Sequence, residues 1–201
     1  MSNRQIKETT ESKSTSVFKD AIILMVSLLH GSLFFTIAGN TIELINAFTY
    51  YKLSILLFDY AIFLRVFQTH ILAAIKYDRK WDIRPLDYVW LFCTALFEYI
   101  LFNSKEINGW NDTIRNYVII GFCTVGIIGY ALSYFRTKDQ YHEHDKASEQ
   151  VIQSTNIMFL AIIGGIHIVK IAIKYEDSIP NYLCAFWIMY NIYNSMQNSF
   201  L

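Results

Sequence analysis

Two stretches of this chain cleanly combine freedom from charge with apolar side chains over a length that matches the thickness of a lipid bilayer. Residues 21–42 (AIILMVSLLHGSLFFTIAGNTI) lie between Asp20 and Glu43, and residues 116–135 (NYVIIGFCTVGIIGYALSYF) lie between Arg115 and Arg136. A helix rises about 1.5 Å per residue, so about 20 apolar residues cross the ~30 Å hydrocarbon core. Hydrocarbon offers the backbone no hydrogen-bond partner, so such a stretch must pair its own N–H and C=O groups as a helix. The expected fold class is therefore all-α, a polytopic transmembrane helix bundle.

Four further stretches extend the plan. Residues 53–75 are apolar except for Asp59, Arg65, Gln68 and His70. Residues 88–104 follow Pro85 and Asp87, which suit the start of a helix, and contain Glu98. Residues 150–169 begin polar and end apolar, with His167 near the end. Residues 180–201 lack charge but hold Asn191, Asn194, Gln197 and Asn198, so this segment either spans or lies in the interface. The best count is six spans, with four or five as alternatives. Residues 1–16 read as a flexible polar tail, and 17–201 as one transmembrane helical domain. The tail contains Glu8 and Glu11, and the first apolar run is too long for a signal peptide.

Loop charge gives an independent check. With six spans and a cytoplasmic N-terminus, the inner segments hold eleven cations: Arg4, Lys7, Lys13, Lys19, Lys76, Arg79, Lys80, Arg84, Arg136, Lys138 and Lys146. The outer segments hold five: Lys52, Lys105, Arg115, Lys170 and Lys174. That bias follows the positive-inside rule and predicts a multi-pass protein of the inner (plasma) membrane. Tyr50, Tyr51, Trp81, Trp90, Trp110, Tyr134 and Phe135 fall near span ends, where aromatic rings favour the headgroup level.

Most function classes find no support in the residues. The chain has no basic stripe for direct nucleic-acid contact. It has no His-Glu-x-x-His, Gly-x-Ser-x-Gly, P-loop or Gly-x-Gly-x-x-Gly, so no catalytic residue is assigned and no enzyme is expected. Cys93, Cys123 and Cys184 are odd in number and sit in apolar runs, which makes them small fillers rather than a disulfide or zinc set. His142-Glu143-His144-Asp145 in the charged 136–149 loop has metal-binding residue types, but a solvated loop has the same composition. His30, His70 and His167 differ in depth, so they are expected as satisfied buried side chains rather than haem ligands. Arg65 and His70 have the R-x4-H spacing of HEPN-type ribonucleases, yet they lie in an apolar span that RNA would not reach. No metal or other cofactor is expected.

Ionisable residues within spans are costly and therefore pair or function. Arg65 and Glu98 each lie eleven residues from the inner end of their spans, about 16 Å deep. Depth alone predicts an Arg65–Glu98 ion pair, acting either as a clamp between two helices or as part of a pore or relay. Asp59 and His70 are eleven residues apart and fall on one helix face. Together these four form the expected intramembrane polar network. Gly121, Gly126, Gly129 and Ser133 mark the fourth span as a close-packing helix, and Gly164 and Gly165 do the same for the fifth. Such small residues serve a tight bundle or a homo-oligomer equally well. Arg79, Lys80, Trp81 and Arg84 make loop 76–87 the candidate surface for a cytoplasmic partner protein or anionic lipid. Asn111-Asp112-Thr113 fits a glycosylation acceptor on an outer loop.

A chain of 201 residues that is nearly all membrane has a short polar N-tail and ionisable residues in its second and third spans (Asp59, Arg65, His70, Glu98). In that plan it resembles small multi-span membrane subunits of prokaryotic antiviral systems, namely the Kiwa membrane subunit and the membrane accessory proteins of type VI CRISPR loci. The resemblance implies a non-enzymatic subunit that oligomerises to alter membrane permeability, or that anchors a cytoplasmic partner, in antiviral defence. The alternative is a stand-alone ion channel or small transporter. Small six-helix bacterial potassium channels share the outline, but their Arg…Phe-Ser-Asp signature is replaced here by Phe18-Lys19-Asp20.

Overall fold

The computed structural model describes residues 3–76, 85–103, 112–140, 143–174 and 178–200, with side chains described for 20, 24–69, 89–103, 113–135, 150–174 and 178–194. Among the described residues the chain forms six helices and no strand. They are α1 (Asn3–Asn46), α2 (Tyr50–Lys76), α3 (Pro85–Phe102), α4 (Asp112–Gln140), α5 (Glu143–Ala172) and α6 (Ile179–Phe200). The expected spans 21–42, 53–75, 116–135 and 150–169 each lie within one of them, while 88–104 and 180–201 run past the described ends of α3 and α6.

Local chemistry explains several helix ends. Thr49 caps α2, its Oγ1 accepting the Lys52 N–H at 3.1 Å. Pro85 opens α3 and Pro180 sits in the first turn of α6, where a missing N–H costs nothing. α5 ends at Ala172, and Lys174 just beyond it has a φ of 51°, the left-handed conformation that follows many helix ends.

Two features differ from the sequence reading. α1 runs back to Asn3, so the segment expected as a flexible tail belongs to the helix. Six of its sixteen residues are Glu, Lys, Gln or Arg, which are good helix formers. α4 and α5 also continue to Gln140 and from Glu143, which turns most of the expected 136–149 loop into helix.

α4 lies along α5, and α2 lies along α6. α1 packs on α2 and α3, α3 packs on α4, and α2 touches α3 only briefly. The core is built from Ile37, Phe58, Phe102, Ile119 and Ile188 among others. α6 belongs to this core: Asn181, Cys184, Ala185, Ile188 and Ile192 are buried at helical spacing.

The distribution of polarity is inverted relative to a water-soluble domain. Phe35 and Phe186 are 77% and 75% exposed, whereas Asp59 is 2% exposed and Glu98 and His167 are 0% exposed. Large apolar side chains cover the outer faces of α1, α4, α5 and α6, for example Leu28, Tyr117, Val151 and Phe186. Patches of that extent mark contact with lipid or another apolar surface. Among the described residues, three helical segments are long and apolar enough to cross a membrane: Leu24–Asn46, Thr113–Phe135 and Gln150–Ala172. Val89–Phe102 is apolar but shorter. The protein is a membrane-embedded helical bundle.

Candidate functional site

The polar interior falls into two clusters at different depths. The first sits at the end of the bundle where α2, α4 and α6 begin and α3 and α5 finish. Its centre is a buried ion pair between Asp59 of α2 and Arg115 of α4. Arg115 also donates through Nη1 to the Leu101 carbonyl at 3.3 Å. A cation in the first turn of its own helix opposes that helix dipole, but here it caps the C-terminus of α3, where positive charge is favourable. Asn40 of α1 adds a second cap, donating to the Phe102 carbonyl at 2.9 Å. The last turn of α3 is thus closed by side chains from two other helices.

The same cluster extends towards α5 and α6. His167 donates through Nδ1 to Asn116 Oδ1 at 2.7 Å, with its ring 5.6 Å from Phe58. One turn later, buried Lys170 points to Asn181 Oδ1 at 3.5 Å. Lys170 lies in the last turn of α5, where the helix dipole favours a cation. Asn181 donates in turn to Ser54 Oγ at 3.3 Å, and Ser54 donates to the Tyr51 carbonyl at 2.7 Å. A crevice of about 10 Å³, lined by Asn40, Glu43, Lys52 and Asp59 among others, reaches the ion pair from the α1–α2 turn. That is room for a single water.

The second cluster lies deeper, around Arg65 of α2. Its guanidinium donates from Nη1 to Gln68 Oε1 at 3.0 Å and from Nη2 to Asn156 Oδ1 of α5 at 2.6 Å. Gln68 donates onward to the Ile192 carbonyl of α6 at 3.3 Å. Beside Arg65 is a cavity of about 50 Å³, walled by five helices and mostly apolar.

Arg65 and Glu98 do not pair. The depth count assumed spans of equal length, but α2 has 27 residues and α3 has 18. Measured from the α1–α2 turn end, Arg65 lies about 22 Å deep and Glu98 only about 6 Å. Glu98 is fully buried, and its two carboxyl oxygens meet no hydrogen-bond partner among the described residues. Asp59 faces Arg115, while the side chain of His70 lies outside the described residues. Arg79, Lys80, Trp81 and Arg84 also lie outside them, as does Asn111 of the glycosylation motif. So do the side chains of the His142–Asp145 motif.

The small residues of α4 are spent on packing within the chain. A Cβ on Gly121 would stand 2.7 Å from Phe97 Cε1, and one on Gly129 only 2.2 Å from Trp90 Nε1, both on α3. At Gly126 it would stand 2.6 Å from Leu160 Cδ1 of α5. Ser133 is half-buried one turn beyond Gly129. Among the described residues no group of three His, Cys, Asp or Glu side chains converges on a metal position. His30 and His167 sit apart: His30 donates to the Val26 carbonyl at 2.8 Å and packs on Phe63 and Phe67. The three cysteines are free thiols.

Sequence reasoning missed Arg115, Asn116, Asn156, Lys170 and Asn181. Arg115 and Lys170 were placed in outer loops because they flank apolar runs, yet both are interior. The signal for Asn156 was its depth: it closes the polar start of its span at a level close to that of Arg65. Comparisons with protein-family models, with curated proteins and with solved structures return no match, so the function must be argued from this polar interior.

Proposed function

We propose that this is a non-enzymatic, multi-pass protein of the plasma membrane that alters the permeability of the bilayer to small ions. The observation that carries the reading is the polar interior inside an apolar exterior. Asp59, Glu98, Arg115, His167 and Lys170 are all buried within helices whose outer faces are apolar. Ionisable groups at membrane depth are expensive to keep and characteristically mark ion or substrate pathways. In this reading all six helices cross the bilayer, the N-terminus is cytoplasmic, and the Asp59–Arg115 cluster lies towards the outer face.

The plan shared with antiviral membrane subunits suggests that permeability is coupled to a cytoplasmic partner. That partner would dock on the basic 76–87 segment of Arg79, Lys80, Trp81 and Arg84, and the subunit would oligomerise. A second reading is a stand-alone channel or small transporter. It is favoured by Gly121, Gly126 and Gly129, each of which already packs against another helix of the same chain. Purified protein in liposomes separates these readings from their failure. Ion flux above that of empty vesicles, reduced by Arg65→Ala, supports the permeability function. Folded, inserted protein with no flux overturns it as a self-sufficient activity. The mass of the detergent-solubilised particle then decides between monomer and oligomer.

A further inference from the structure

Arg65 is half-buried midway along α2, and no acidic side chain among the described residues pairs with it. Among the described residues the ion pair of the interior is Asp59 with Arg115. Arg65 is held instead by two neutral amide oxygens, from Gln68 and Asn156. A guanidinium carries five N–H donors and stays protonated in proteins. Two of the five are used, and the others meet no acceptor among the described residues. Amide oxygens solvate the cation, and no carboxylate among the described residues offsets its charge, which is costly about 16 Å from the nearer end of α2.

A cavity lies beside the guanidinium. It is about 50 Å³, and Arg65, Trp90, Phe122, Tyr130, Asn156 and Ile163 are among its walls. At about 10–15 Å³ per water, it holds about four water-sized particles. That is too small for a phospholipid headgroup with its chains, and enough for a small anion with a little water. Phe122 and Ile163 cannot replace a strongly held hydration shell. Arg65, the Asn156 amide and the Tyr130 hydroxyl carry donor groups, all suited to an anion.

We propose that this cavity is a binding site for a small, weakly hydrated monovalent anion of the nitrate, thiocyanate or iodide class, with the Arg65 guanidinium as its counter-charge. This assigns a sign and a hydration class to the ion of the permeability reading, on which its transport role rests; binding itself does not depend on transport.

The test is thermal unfolding of the full chain in detergent, with sodium nitrate replacing sodium gluconate at constant ionic strength. The wild type should show a saturable rise in Tm with nitrate, a smaller rise with chloride and none with sulfate. Arg65→Gln should abolish the rise, and Arg65→Lys should keep a weaker one. Identical Tm in nitrate and gluconate overturns the site, whether or not the variants fold. An equal nitrate response in wild type and Arg65→Gln also overturns it. In liposomes, saturable nitrate binding without flux removes the permeability reading and leaves the anion site standing. Cation-selective flux without a nitrate response does the reverse.

Discussion

The two polar clusters of this bundle solve the same problem in different ways. At the α1–α2 turn end, buried charge is met by charge or by helix termini: Asp59 faces Arg115, Arg115 caps α3, and Lys170 sits at the last turn of α5. Space there is scarce, with about 10 Å³ beside Asp59. Deeper in, Arg65 is met among the described residues by neutral oxygens and borders about 50 Å³ of cavity. The first cluster is built to hold helices together. The second has an open charge and room beside it, which are the attributes of a site. Ionisable residues in a membrane protein are thus not one class, and the difference lies in what surrounds each charge.

Breaking the paired cluster should have the largest effect. Arg115→Ala leaves Asp59 buried without its partner, and removing one member of a buried pair costs about 3–5 kcal/mol. Thermal unfolding in detergent should show this as a large fall in Tm, and replacing Asp59 by Leu in the same chain should recover most of it. No recovery would show that the two residues do not act as a pair. Gly129→Ala comes next, because its Cβ would press on Trp90 Nε1 at the cavity wall. Overpacking of this kind costs about 1–3 kcal/mol, and a changed Trp emission should accompany it.

Arg65→Gln should have a smaller effect on stability, of about 1 kcal/mol for the hydrogen bonds lost, yet a greater effect on ion flux than either substitution above has per unit of stability lost. Equal losses of stability for Arg65→Gln and Arg115→Ala would erase the contrast between the clusters. Glu98→Gln should change stability least. Its oxygens meet no partner among the described residues, so removing the ionisable group sacrifices no bond seen in the structure. A drop in Tm comparable to that of Arg115→Ala would reveal a hidden partner.

The helices were legible in the sequence because their signals are local. Charge-free runs, Pro85, Ser178-Ile179-Pro180 and the flanking cations mark where each element begins and ends. The pairing inside the bundle was not, because it depends on helix lengths and faces that no single stretch reveals. Equal counting from the inner ends matched Arg65 to Glu98, and the shorter α3 breaks that match. Arg115 reads in the sequence as a flanking cation because position along the chain does not say which way a long side chain turns. Here it turns inward, to the carboxylate of Asp59 and the open carbonyl of Leu101. The small residues of α4 were legible as packing residues, but their partners, Phe97, Leu160 and Trp90, were not.

The account depends on lipid covering the apolar outer faces of α1, α4, α5 and α6. Alkaline extraction of membranes from expressing cells tests this most directly. The protein should stay with the lipid pellet through the high-pH wash and come into solution only when detergent is added. Recovery as a folded, monodisperse species in a detergent-free supernatant would contradict it.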